Sequence, residues 1–135
     1  MEGGGWLALL VSLALAEAFR EQSFVVRGAL RCGTAPSKHA RLILYDVELR
    51  RGRLGQRVLD ESWARADGNF HLSARVTKLW PLQPRLRILH RCLKPRCPSI
   101  VTLRLPSSYV DEGPFDIGEW NLEALPDEND AIHRC

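Results

Sequence analysis

The chain has 135 residues, of which 45% are hydrophobic and 26% charged, with 19 Lys/Arg against 16 Asp/Glu and a formal net charge of +3. That length is one domain, large enough to bury a core of its own. Only one apolar run is long enough to notice, which excludes a multi-span membrane protein. The charge is unevenly placed: Arg31 to Arg104 holds 16 Lys/Arg against 5 Asp/Glu, whereas Leu105 to Cys135 holds Arg134 against 8 acids. A basic body with an acidic tail either attracts anionic partners or neutralises itself by folding back.

The apolar run is Trp6 to Leu15, with small residues at Ala14, Ala16 and Ala18. It falls short of the roughly 20 residues a membrane helix needs, so the pattern predicts a secretory signal over residues 1–18, cut after Ala18 or Ala16. The predicted amino-terminal region is atypical, carrying Glu2 and no basic side chain. No transmembrane segment is expected. Removing residues 1–18 takes away Glu2 and Glu17, leaving 19 Lys/Arg against 14 Asp/Glu, a formal +5. The four cysteines, Cys32, Cys92, Cys97 and Cys135, all lie beyond the signal. An even count in an exported chain implies disulfides, with three pairings open. No Asn-x-Ser/Thr acceptor for N-glycosylation occurs.

From Ser23 to Arg31, Phe24, Val26, Gly28 and Leu30 share one face of a first strand that ends at Cys32-Gly33. Thr34 to His39 is a turn-forming linker around Pro36. Leu42-Ile43-Leu44-Tyr45 reads as a central, near-continuously apolar strand, followed by a charged loop from Arg50 to Gln56. Arg50-Arg51 could be a peptide-processing site, but the flanking pieces read as strands of one sandwich. Val58 to Arg65, with Trp63, is a third and less regular strand. Asp67-Gly68-Asn69 is a turn signal, and Phe70, Leu72 and Ala74 alternate after it, predicting a hairpin. Two oxygens on that turn are far fewer than the roughly six to eight ligands calcium takes. Lys78 to Gln83, interrupted by Pro81, connects to the plainest strand of the chain, Pro84 to Cys92. There Leu86, Ile88, His90 and Cys92 fall on one side and Arg85, Arg87 and Arg91 on the other. Val101, Leu103 and Leu105 alternate in the next strand, stopped by Pro106. Phe115 and Ile117, then Trp120 and Leu122, predict a last pair of short strands around Gly118, and Asp127 to Asp130 form an acidic tail.

Seven or eight short strands without a helical period predict an all-β antiparallel sandwich over residues 19–125, with residues 126–135 as tail. Leu30, Leu44, Phe70, Leu72, Leu86, Ile88, Val101, Leu103 and Ile117 are expected inward. For crosslinks, the short Pro-rich turn from Cys92 to Cys97 predicts that pair, leaving Cys32 with Cys135.

The ordered set Val26-Arg27-Gly28-Ala29-Leu30-Arg31-Cys32-Gly33, Leu44-Tyr45-Asp46, Asp67-Gly68-Asn69-Phe70-His71-Leu72, Leu86-Arg87-Ile88-Leu89-His90-Arg91-Cys92, Pro106-Ser107-Ser108-Tyr109, Phe115-Asp116-Ile117-Gly118 and Asn121-Leu122-Glu123 resembles the nematode transthyretin-like family. The resemblance covers about Val25 to Leu125 and implies a secreted, transthyretin-like (prealbumin-like) fold of two four-stranded sheets packed face to face.

His90, Cys92, Cys97 and Cys32 have the ligand chemistry of a tetrahedral zinc site, but an oxidising compartment disfavours free thiolates. A Cys92/His90 nucleophilic pair lacks an orienting third group, and His90 is expected to be a buried, hydrogen-bonded histidine. Hydroxyisourate hydrolases resemble transthyretin, but their Tyr-Arg-Gly-Ser signature is absent here, and His39, His71 and His133 do not stand in that family's contexts. No enzyme activity, metal or cofactor is expected. The expectation is an extracellular interaction module in which Arg85, Arg87, Arg91 and Arg104 gather on one outer face. That face would dock to anionic cell-surface lipid or glycan and bridge it to a protein partner, with self-association allowed and nucleic acid excluded. The runner-up is a carrier of a small lipophilic ligand.

Overall fold

The computed structural model describes residues 3–93 and 97–126. A helix, α1 (Gly3–Ala18), precedes eight strands: β1 (Arg20–Cys32), β2 (Ala35–Pro36), β3 (Arg41–Arg50), β4 (Arg53–Trp63), β5 (Asn69–Lys78), β6 (Pro84–His90), β7 (Ser99–Arg104) and β8 (Phe115–Asn121). Short 3-10 turns cover Ser107–Tyr109 and Leu122–Ala124. Trp6, Leu7, Leu9, Leu10 and Val11 of α1 are exposed. No described helix is long and apolar enough to cross a membrane.

The strands form two four-stranded sheets, one ordered β4-β3-β6-β7 and the other built on β1, which pairs β2, β5 and β8. The first sheet is antiparallel throughout. In the second, β8 runs parallel to β1. Alternation decides what lies between the sheets: Phe24, Val26 and Leu30 of β1, Leu42 and Leu44 of β3, Phe70 and Leu72 of β5, Leu86 and Ile88 of β6 and Val101 of β7 are buried together. Leu103 and Ile117, also expected inward, are half-buried against that core.

Four expectations are overturned. The stretch Arg50 to Gln56 is not a loop. Arg50 and Arg53 face each other at the end of the β3–β4 ladder, and the two residues between them, Arg51 (φ 50°) and Gly52 (φ 77°), both take positive φ, as the favoured two-residue hairpin turn requires. Asp67-Gly68-Asn69 does turn the chain, but not into a hairpin: β4 pairs with β3 and β5 with β1, so this turn crosses between sheets. The expected last pair of strands is a single strand, β8.

The crosslinks are the fourth. Cys32 and Cys92 are joined, with S–S 2.02 Å and Cα–Cα 5.6 Å, in place of the expected Cys92–Cys97 and Cys32–Cys135 pairs. The reason is spatial. β1 ends at Cys32 and β6 ends two residues before Cys92, so the bridge ties one sheet to the other where both strands stop. Cys97 is also disulfide-bonded, and Cys135 lies outside the described residues.

Gly28 shows how closely β1 packs against its neighbours β5 and β8. It occupies the inward row of β1, where a Cβ would stand 2.5 Å from Ile117 Cγ1, 2.9 Å from the Gly118 carbonyl oxygen and 3.1 Å from Phe70 Cζ. Overpacking of this kind costs about 1–3 kcal/mol. Gly28→Ala should therefore lower the urea midpoint by an amount equivalent to about 2 kcal/mol, with part of the loss recovered in Gly28→Ala/Ile117→Val. Unchanged stability in the single variant would show that β8 yields freely.

Candidate functional site

The arginine strand forms as its sequence alternation requires. Along β6, Pro84, Leu86, Ile88 and His90 are buried while Arg85, Arg87 and Leu89 are half-exposed on the outside. Residues directly opposite in a ladder share a face, so the register assembles the outer surface of this sheet row by row. Arg85 stands opposite Arg104 on β7 and opposite Tyr45 on β3, and Tyr45 opposite Val58 on β4. The next row holds Arg87, Thr102, Ile43 and Glu61.

Three of the four expected arginines thus meet on one face. Arg91 is exposed but lies past the end of β6, so the ladder does not place it there. Arg87 lies over the Tyr45 ring at 4.7 Å and donates to Gln56 Oε1 at 3.0 Å, which covers Tyr45 and holds the guanidinium in place. Arg85 and Arg104 stand opposite each other in a row with no acidic residue. Like charges in that position oppose pairing. Glu61, the acid of the neighbouring row, is engaged by Arg41.

The arginines were legible in the sequence; the apolar half of this face was not. Leu49, Leu54, Val58 and Trp63 are exposed on β3 and β4, and the pairings Leu49↔Leu54, Tyr45↔Val58 and Arg41↔Trp63 put them on the same outer surface. The other sheet differs. On its outside Arg27 pairs with Asp116, Arg31 with Glu119 and Arg75 with Glu21.

A second feature lies where β3 ends and β5 leads into β6. A groove of about 420 Å³ is lined by Val47, Glu48, Leu49, Lys78, Leu79, Trp80, Pro81 and Gln83. Its loop is pinned by Gln22, a fully buried side chain, which donates to the Trp80 carbonyl at 2.9 Å and accepts from the Leu82 amide at 2.8 Å.

Cys32, Cys92 and His90 are engaged within the fold. With their sulfurs joined, Cys32 and Cys92 offer no thiolate to a metal or to a nucleophilic pair. His90 is 2% exposed, and its Nδ1 accepts from the Cys92 amide at 3.2 Å, as expected of a buried histidine. His39 sits on an exposed turn and His71 on the outside of β5, while His133 lies outside the described residues.

The fold is thus a disulfide-linked β-sandwich of two four-stranded sheets, one ion-paired on its outside and the other arginine-rich and apolar. The family model that matches it, TTR-52, describes the transthyretin-like family and covers residues 27–106. Among curated proteins of Caenorhabditis elegans, the chain is similar to Transthyretin-like protein 46, with 34% identity over 129 residues, 89% of this chain and 70% of that protein. It is also similar to Transthyretin-like protein 33, at 33% identity over 87% of each chain, and to Transthyretin-like protein 5, at 31% identity over 94% of this chain and 96% of that one. The chain belongs to the transthyretin-like family. Among solved structures, a 9R-lipoxygenase from Cyanothece PCC8801 matches at 16% identity and a TM-score of 0.41, over 74% of this chain and 16% of that one, a likeness too slight to carry an argument.

Proposed function

We propose that the protein is an exported, non-enzymatic interaction module that docks the outside of its β4-β3-β6-β7 sheet onto an anionic extracellular surface, phospholipid headgroups or a sulfated glycan, and bridges that surface to a protein partner. The observation that carries this reading is the Arg85–Arg104 pair, two guanidinium groups opposite each other with Arg87 in the adjacent row. A bound phosphate or sulfate relieves their repulsion, and the planar guanidinium fork matches both anions. The exposed Leu49, Leu54, Val58 and Trp63 beside them favour a surface that also accepts apolar contact. Export is supported by the short apolar α1 and by the disulfide.

Retention on anionic liposomes and on heparin at low and high salt tests the reading. Binding through exposed charges should be strong at 0.1 M salt, where screening acts over about 10 Å, and lost near 1 M, where it acts over about 3 Å. Arg85→Ser/Arg104→Ser should abolish retention with the fold intact, whereas Arg87 is left in place because it also covers Tyr45. Absence of low-salt binding, or equal binding by the variant, rejects the proposal.

The carrier reading is favoured by the groove beside Trp80, whose volume lies within the range of small-molecule sites. It predicts salt-insensitive quenching of tryptophan fluorescence by lipophilic ligands, lost in Trp80→Ala.

A further inference from the structure

Three of the sequence stretches that carry the family resemblance find no part in the face described above. They are Arg27-Gly28-Ala29, Asn69-Phe70-His71 and Asp116-Ile117-Gly118, and the fold brings them together on the outside of the other sheet. Arg27 stands opposite His71 on one side and opposite Asp116 on the other, and Ala29 opposite Asn69. Together with Arg65 they line a concavity of about 440 Å³.

The hollow has a structural cause. The β1–β8 register shifts between Arg27 and Ala29, so that Ile117 and Gly118 of β8 face the single residue Gly28. Ile117 turns its side chain inward over the space where Gly28 lacks a Cβ. Gly118 takes φ 77° and presents nothing outward. The floor is therefore Gly28, Ala29 and Gly118, while the rim carries long polar side chains. Bulges that re-aim side chains in this way are over-represented beside functional sites.

The rim is rich in donors. Asp116 has both oxygens engaged inside the site: Oδ2 accepts from Arg27 Nε at 3.3 Å and Oδ1 from the Gly118 amide at 2.8 Å. The Asp116 contact uses Arg27 Nε and not its terminal nitrogens. Arg65 makes no ion pair among the described residues, and the His71 ring stands beside Arg27.

We propose that this concavity binds the oxyanion group of a small ligand, a carboxylate, sulfate or phosphate, between Arg27, Arg65 and His71. The site is separate from the arginine face, since it lies on the opposite sheet, and it does not depend on that face docking to anything. Arg27 and Arg65 supply charge-assisted hydrogen bonds from two sides, and the glycine-lined floor lets the anion approach the backbone. His71 adds a third donor through its ring N–H.

The test is a heteronuclear NMR titration of the oxidised full chain with sodium acetate, sulfate or phosphate, ionic strength being held constant with sodium chloride. The three arms tell which oxyanion the site prefers. Saturable shifts at the amides of Ala29, Asn69, His71 and Gly118 are expected. Arg65→Ala should weaken binding at least about tenfold, as loss of a charge-assisted bond implies. In Arg85→Ser/Arg104→Ser the shifts at Ala29, Asn69, His71 and Gly118 should saturate as in the parent, whatever happens to shifts on the docking face, which separates the two sites. Shifts that are linear and spread over the whole chain, or identical in Arg65→Ala, would overturn the assignment.

Discussion

Replacing Cys32 and Cys92 together by serine should lower the stability of the fold by about 4 kcal/mol, the loop-entropy value for crosslinking residues 60 apart. The bridge joins the last residue of β1, in one sheet, to the segment just past β6, in the other. The unfolded chain therefore gains most of its lost freedom when the bond is removed. Urea unfolding of the oxidised parent and the double variant measures the difference. The slope of the transition should steepen in the variant, because its unfolded state is less compact. Peptide mapping without reductant should return a Cys32–Cys92 crosslinked peptide. A loss below about 1 kcal/mol would show that the denatured chain was already compact, and a Cys92–Cys97 peptide would show that the bridge described here is wrong.

How far the sequence discloses this molecule depends on whether a feature is local. The alternation of β6 is a property of seven consecutive residues, and it predicts both the buried row and the arginine row. The inward rows of β1 and β5 are legible for the same reason. The disulfide is not local. Proximity in sequence favours Cys92 with Cys97, but Cys32 comes to Cys92 only because two strands in different sheets end at the same place. The turn at Asp67-Gly68-Asn69 announces a change of direction, and nothing in it says which sheet the next strand joins. The β3–β4 hairpin is hidden because its turn places an arginine, Arg51, at positive φ, where glycine or asparagine is the usual signal. Its edge strand also exposes Leu54 and Val58, so the expected pattern of apolar inside and polar outside is broken.

The arginine face is half-legible on the same grounds. Period two shows that Arg85 and Arg87 share a side, and only the register of β6 with β7 shows that Arg104 stands opposite Arg85. The oxyanion concavity is the extreme case, being assembled from β1, the turn before β5, and β8. One signal was available and carries over to the interior. Gln22 keeps step with Phe24 and Val26, and Asp46 with Leu42 and Leu44. A polar residue in step with a buried apolar row is a candidate for a satisfied polar group inside the protein.

Asp46→Ala should be nearly as damaging as loss of the disulfide. Asp46 is fully buried, its Oδ1 accepting from the Gln83 amide at 2.8 Å and its Oδ2 from Lys78 Nζ. These contacts fasten the connection between β5 and β6 to β3, and both partners, Lys78 and Gln83, line the Trp80 groove. Truncation leaves the Gln83 amide without its acceptor and Lys78, whose side chain is only 12% exposed, without its nearer partner. Breaking one half of a buried ion pair costs about 3–5 kcal/mol. Lys78 retains Glu48 at 3.9 Å, so the expected loss is at the low end, about 3 kcal/mol. Asp46→Leu combined with Lys78→Met should cost less than the sum of the single changes, since it removes the orphaned charge along with its partner. Urea midpoints for the two singles and the double decide the matter. Additive losses would mean that Asp46 acts through the Gln83 amide alone, and that its pairing with Lys78 contributes nothing to stability.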